Sequence, residues 1–195
     1  MSIFWLDLET TGLDPRYDSI LEIAISEASF RAPFDARPVY HAVMCYPNLN
    51  GKPYIDQVVK DMHGKSGLTI ACENSETTYS KVWDDLRELI PVESDPKNKP
   101  FFAGSSVHFD AAFIRSHFPD VYARFSHRHY DVSAIKLFCE SLGMGKFPKG
   151  EAHRAQADIL ESIEHAKRCA DWLTSPPAYD VNHDLEDWAS FFAWK

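Results

Sequence analysis

An apolar run near the amino terminus, FWLDLETTGL at residues 4–13, carries two carboxylates where a buried strand ought to be apolar. Asp7 and Glu9 are separated only by Leu8, so on a strand they point to one face. Neighbouring carboxylates repel, and burial raises the cost further. A chain that buries this stretch needs positive charge on that face. A divalent cation would supply it, and all-oxygen ligation suits Mg²⁺ or Mn²⁺ rather than zinc. The competing reading is a solvated strand end capped by two acids, and Asp-x-Glu alone does not decide between them.

The rest of the chain sets the frame for this strand. Residues 3–8 predict a short buried strand, and TGLDPRYD at 11–18 a turn. Alternation over 19–30 predicts a second strand, and the β-formers of 37–46 a third, giving a meander. A short helix is expected at 53–62, then a polar segment, HGKSGLT. Helical spacing of Tyr79, Val82, Trp83, Leu86, Leu89 and Ile90 predicts a helix over 76–90 that Pro91 stops. PFFAG at 100–104 reads as a buried strand and AAFIRSHF as helix; the stretch 129–143 reads as a strand passing into a helix that ends at Gly143. A long amphipathic helix is expected from Ala155 to Leu173, with Ile159, Ile163, Ala166, Cys169 and Ala170 inward. The tail, 174–195, is acidic and then aromatic, with Trp188, Phe191, Phe192 and Trp194 as an expected apolar anchor on the domain or on a dimer partner. A meander followed by alternating helices and strands is an α/β pattern with a mixed sheet.

Composition bounds the function. The 195 residues, 45% hydrophobic and 25% charged, suit one compact domain. A formal net charge of −9 argues against gripping long nucleic acid by a broad basic surface, but not against a short substrate drawn into a metal-filled pocket. Cys45, Cys72, Cys139 and Cys169 form no CxxC pair, so free thiols in a reducing, cytoplasmic setting are expected. The amino terminus has no basic segment of a signal peptide, and no apolar run is long enough for a membrane span.

Further acids raise the weight of the metal reading. Asp110 stands where a strand gives way to a helix, the place at which α/β sheets carry functional groups, although a helix N-cap explains it equally well. His153 and Asp158 are five residues apart. Within one regular helix they would lie roughly 140° apart, so they converge only if His153 precedes the helix and Asp158 opens it.

Taken in order, "LDLETTGLDP", "GSSVHFDAAFI", "YDVSAIK" and "HRAQADILESI" resemble the three exonuclease motifs of the DEDDh family. The finer resemblance, over residues 3–173, is to oligoribonucleases, with "MHGKSGL" similar to their His-x-x-Ser-Gly-Leu segment. The resemblance implies a ribonuclease H-like fold, a five-stranded mixed sheet with helices on both faces. It implies that residues 1–173 are the exonuclease domain, that Asp7, Glu9, Asp110 and Asp158 hold two Mg²⁺ or Mn²⁺ ions, and that His153 is the general base. A neutral imidazole is needed to accept a proton, so activity is expected to rise as that histidine deprotonates.

The implied reaction is 3′–5′ hydrolysis of short RNA, down to dinucleotides, to nucleoside 5′-monophosphates; short single-stranded DNA is a possible further substrate. Leu13 matches a wedge between bases, His63 a substrate contact, and Ser106, Arg128 and Ser133 a cap over the 5′-phosphate. Arg128 would reach in from the partner of a homodimer. His127 stands where the family usually has a base-stacking tyrosine, and Ala157 where it has an acid before the last aspartate. His127 and His129 as zinc ligands are disfavoured without a cysteine pair. The main alternative is an exonuclease of the same family on longer single-stranded DNA or RNA. An inactive nucleotide-binding module is argued against by the presence of all five motif residues.

Overall fold

The computed structural model describes residues 2–31, 34–46, 57–147 and 153–174. Three antiparallel strands open the chain: β1 (Ser2–Thr10), β2 (Ile20–Ser29) and β3 (Arg37–Val43). β4 (Phe101–Gly104) pairs with β1 in parallel, and β5 (His129–Asp131) pairs in parallel with β4. The order β3-β2-β1-β4-β5 puts β1 at the centre. The helices are α1 (Gln57–Lys65), α2 (Leu68–Glu73), α3 (Tyr79–Leu89), α4 (His108–His117), α5 (Pro119–Tyr122), α6 (Val132–Ser141) and α7 (Ala155–Thr174).

Alternation along β1 divides its side chains between two cores. Phe4, Leu6 and Leu8 pack with Val82 and Leu86 of α3 and with Ala111, Phe113 and Ile114 of α4. Ile3 and Trp5 face the other way, against Ala155, Ile159, Ile163 and Ala166 of α7. Full burial of side chains such as Trp5 and Phe102 stabilises by roughly 1.5–3 kcal/mol each. Asp7 and Glu9 continue the row of Ile3 and Trp5, so the same period that buries Trp5 under α7 turns both acids toward α7. At the end of β4, a Cβ on Gly104 would lie 2.9 Å from the carbonyl of Leu6. Glycine is what lets β4 run close to β1 where the site begins.

The predicted meander, the α3 region and the long final helix are found within a few residues of their expected places. Three details differ. The polar segment after α1 is interrupted by Gly67 at φ 75° and restarts as α2, whose Leu68 and Cys72 pack on Leu21 and Tyr46. The periodicity there is too short for a sequence pattern to reveal. α5 is a single turn with proline at its start. Ala170, expected inward, is half-buried at the edge of a groove between α6 and α7. Residues 53–56 of the helix expected at 53–62, and the tail beyond Thr174, lie outside the described residues.

Candidate metal and nuclease site

Three elements bring the acids together. Asp7 and Glu9 lie at the carboxyl end of β1, and Asp158 lies in the first turn of α7 directly above them. One oxygen of each falls within 4.8 Å of the others. Asp110, in the first turn of α4, stands apart from that triad. Its Oδ1 accepts the Leu8 backbone N–H at 3.0 Å, so its carboxylate is pinned to β1 between the two acids.

The electrostatics are those of uncompensated charge. Burial, then Asp158 and Glu22, push Glu9 up to about 8, against a lowering by Arg154. Asp110 is pushed up to about 8 by burial, partly offset by the Leu8 N–H. Asp7 is driven well above the usual carboxylate range by burial and then by Asp110, Asp158 and Glu9. Asp158 is raised by burial, while His153 lowers it. As the helix arithmetic required, His153 precedes α7 while Asp158 opens it, and its φ of 44° turns the chain sharply there.

His63 lies inside the protein rather than on its surface. It is 2% exposed, and its Nε2 lies 2.9 Å from the Thr10 carbonyl. A carbonyl only accepts, so Nε2 carries the proton. Nδ1 has no hydrogen-bond partner and lies 3.7 Å from Glu9 Oε2, which puts the ring alongside the second acid of the pair.

The remaining expected contacts fall in two places. Leu13 is 81% exposed on the turn after β1. Asp18 closes that turn by accepting from Thr11 Oγ1 at 2.9 Å and from the Asp14 N–H at 3.0 Å. A Cβ on Gly12 would meet the Asp18 carboxylate at 2.5 Å, so this turn needs glycine. Ser106, at φ 53°, and Ser133 meet at the carboxyl ends of β4 and β5, with the Ser106 N–H 3.0 Å from Ser133 Oγ. His127 and Arg128 are exposed before β5, at the other end of that strand.

Two residues that the sequence reading passed over adjoin the acids. Glu22 of β2 pairs across the sheet with Glu9 and is 1% exposed. Arg154 donates to it twice, Nη2 to Oε1 at 2.8 Å and Nε to Oε2 at 3.0 Å. The available signal was a lone acid in an apolar strand, ILEIA, of the same kind as Asp7.

A family model described as "Exonuclease" (RNase T) matches residues 4–165. An oligoribonuclease of Chromobacterium violaceum is 32% identical over 174 residues, 85% of this chain and 92% of the relative. The mitochondrial oligoribonuclease of Saccharomyces cerevisiae is 35% identical over 186 residues, 90% of this chain and 68% of the relative. Among solved structures, Escherichia coli exonuclease I in complex with a dT13 oligonucleotide superposes with a TM-score of 0.60 at 19% identity, over 89% of this chain and 43% of that one. A zinc-bound form of the exonuclease I–single-stranded DNA complex gives 0.61 at 18%, over 95% and 44%. This chain thus spans less than half the length of exonuclease I, and that likeness is one of fold. The chain belongs to the exonuclease family and, within it, to the oligoribonucleases. It is a nuclease, a hydrolase of phosphodiester bonds.

Proposed function

We propose that the chain is a 3′–5′ exoribonuclease that hydrolyses short oligoribonucleotides, down to dinucleotides, to nucleoside 5′-monophosphates. The observation that carries this is the convergence of Asp7, Glu9 and Asp158, with Asp110 pinned beside them, at one end of the central strands. The guanidinium of Arg154 is already engaged by Glu22. Buried and half-buried acids with raised proton affinity, and no Lys or Arg ion pair among the described residues, suit hard divalent ions, and Mg²⁺ or Mn²⁺ fits the all-oxygen donor set. Such ions, when bound, would generate hydroxide from water and offset charge on the phosphate.

The chain's own groups do the rest. Asp7 and Glu9 on β1, Asp158 on α7 and Asp110 on α4 would hold the ions. His153, just ahead of α7, takes the proton of the attacking water and must be neutral to do so. Leu13 projects far enough to wedge between bases. His63 lies beneath Glu9, where substrate contact and support of the acid are both within reach. Ser106 and Ser133, whose hydroxyls lie 3.2 Å apart while their N–H groups are held by Asp131, offer a pair of hydroxyls to a terminal phosphate. β5 puts roughly 10 Å of strand between this pair and Arg128, which favours capping by a partner's Arg128 rather than the chain's own. His127 offers a weaker stacking surface than tyrosine.

A homodimer is consistent with the exposed Leu137 and Phe138 on α6 next to this region. The free thiols fit a reducing, cytoplasmic setting. Among the described residues no helix is long and apolar enough to cross a membrane.

A length series tests the reading. Labelled RNA and DNA, from dinucleotide to 20-mer, would be incubated with Mg²⁺ or Mn²⁺. Fastest turnover of the RNA dinucleotide supports the proposal, while equal or faster loss of the long DNA favours an exonuclease on long single strands. Light scattering tests the dimer: a monomer with full dinucleotide activity rules out Arg128 acting in trans.

A further inference from the structure

We propose that Glu22 and Arg154 form a positioning clamp for His153, an inference that rests on the reading of His153 as the general base. Glu22 has no role in the reaction as described, yet it is among the most enclosed ionisable groups in the chain. Every lone-pair direction of its carboxylate is engaged. Arg154 binds both oxygens, the Ala155 N–H donates to Oε2 at 3.2 Å, and His41 Nε2 lies 2.7 Å from Oε1. A bidentate guanidinium–carboxylate pair is directional as well as strong.

The clamp grips the chain at the point where the base needs it. His153 holds φ at 44°, in the left-handed region that a non-glycine residue adopts only where its surroundings impose it. Arg154 follows directly. Its side chain is tied to β2, and its carbonyl accepts the N–H groups of Ala157 at 2.9 Å and Asp158 at 3.1 Å. One residue therefore joins the strand opposite Glu9, the start of α7 and the strained histidine. With Arg154 free, His153 relaxes to an ordinary backbone conformation and its imidazole leaves the position that the start of α7 gives it. Glu22 and Arg154 touch neither water nor phosphate in this scheme, and both act through His153.

The test is a double-mutant cycle on the full chain, read by kcat and KM on an RNA dinucleotide with Mn²⁺. Arg154→Ala is expected to lower kcat about 10- to 100-fold, the range for residues that orient a catalytic group, with KM changed less than about threefold. In a His153→Ala background the same substitution should cost less than about threefold more, because the route of its effect is already gone. Arg154→Lys, with the charge but not the fork, and Glu22→Gln should fall between wild type and Arg154→Ala. Melting curves establish that each variant is folded at the assay temperature. Should Arg154→Ala not fold, Arg154→Lys is carried through the same cycle. Equal losses in both backgrounds mark a general structural defect and overturn the clamp, as does full activity of the Arg154 variant while His153→Ala is dead. If His153→Ala itself is fully active, the base assignment fails and takes the clamp with it.

Discussion

Buried Glu22 and the Asp7–Glu9 pair lie on one face of the same sheet, and they are treated in opposite ways. Glu22 is enclosed more completely than any other acid of the site, yet it is held below the usual carboxylate range: burial alone would raise it, but Arg154, His41 and the Ala155 N–H more than offset that. Glu9, its cross-strand neighbour, is pushed up to about 8, and Asp7 is raised well above its usual value. The protein supplies a cation and two further donors to one acid, whereas among the described residues no Lys or Arg forms an ion pair with the adjacent cluster. Burial is common to both, so the difference lies in compensation. Acids that the fold forces together, with no Lys or Arg ion pair among the described residues, are the physical mark of a site meant for an external cation.

The largest effects should come from the uncompensated set. Asp7→Asn or Asp158→Asn is expected to lower turnover by at least about 10³-fold, as loss of several kcal/mol of metal-borne stabilisation requires. The same substitutions should leave the metal-free protein as stable as before or more so, because they relieve repulsion. Assays of dinucleotide hydrolysis beside thermal melts in chelator read both sides. A variant that loses activity and stability together would show that the acids are structural.

The compensated set should behave in reverse. Arg154→Ala leaves Glu22 charged, buried and without its main partner, and about 3 kcal/mol of stability should go, the lower end for a broken buried pair because the Arg154 side chain is about a third exposed (34%). Chemical denaturation of the metal-free protein measures it. A loss below about 1 kcal/mol would mean that water already screens the pair as at a surface.

A pH series sharpens the contrast. Glu9 takes up its proton near 4.5 in the unfolded chain and near 8 in the folded one, and Asp110 shifts likewise from 3.8 to about 8. Between these values the folded state binds more protons, so metal-free stability is full below about pH 4.5 and declines as pH rises toward 8. Melting temperature without metal should fall by at least about 5 °C from pH 5 to pH 9, with most of that fall removed by saturating Mn²⁺. Glu9→Gln should flatten the slope and add on the order of 1–3 kcal/mol at pH 9. A metal-free melt independent of pH would contradict the raised proton affinity of the cluster.

These contrasts also explain how much could be read from the sequence. Asp7 and Glu9 were legible because a period of two puts them on one face, and His153 with Asp158 because 100° per residue forbids them a shared face inside one helix. The meander followed from a short apolar run, alternation over 19–30 and β-formers over 37–46, and the final helix from helical spacing over 155–173. Glu22 was not legible as special. In SILEIAISEASF it passes for the polar half of an alternating strand, and only the pairing of β2 with β1 and the arrival of α7 reveal that it faces inward. Arg154 was hidden as a spacer between two motif residues. His63 reads as polar in a polar segment, and its burial depends on the Thr10 carbonyl, 53 residues away. Local patterns thus exposed the acids that meet on one strand or helix, while partners supplied across the sheet needed the fold.

The smallest effect tests how the compensation is shared. His41 reaches Glu22 from β3 with a side chain 46% exposed, so water can replace much of what it provides. Its Nε2 contact at 2.7 Å is as short as those from Arg154, and distance alone would rank the two equally. Exposure and valence argue otherwise. Arg154 carries a fixed charge through two donors, whereas His41 supplies one, to a carboxylate that keeps Arg154 and the Ala155 N–H without it. His41→Ala is therefore expected to cost about 0.5–1 kcal/mol in chemical denaturation, the range of a solvent-accessible hydrogen bond, with kcat on the dinucleotide unchanged. If it instead destabilises as much as Arg154→Ala, Glu22 is held by a three-membered network in which no donor is spare, and the clamp on His153 extends to the outer strand of the sheet.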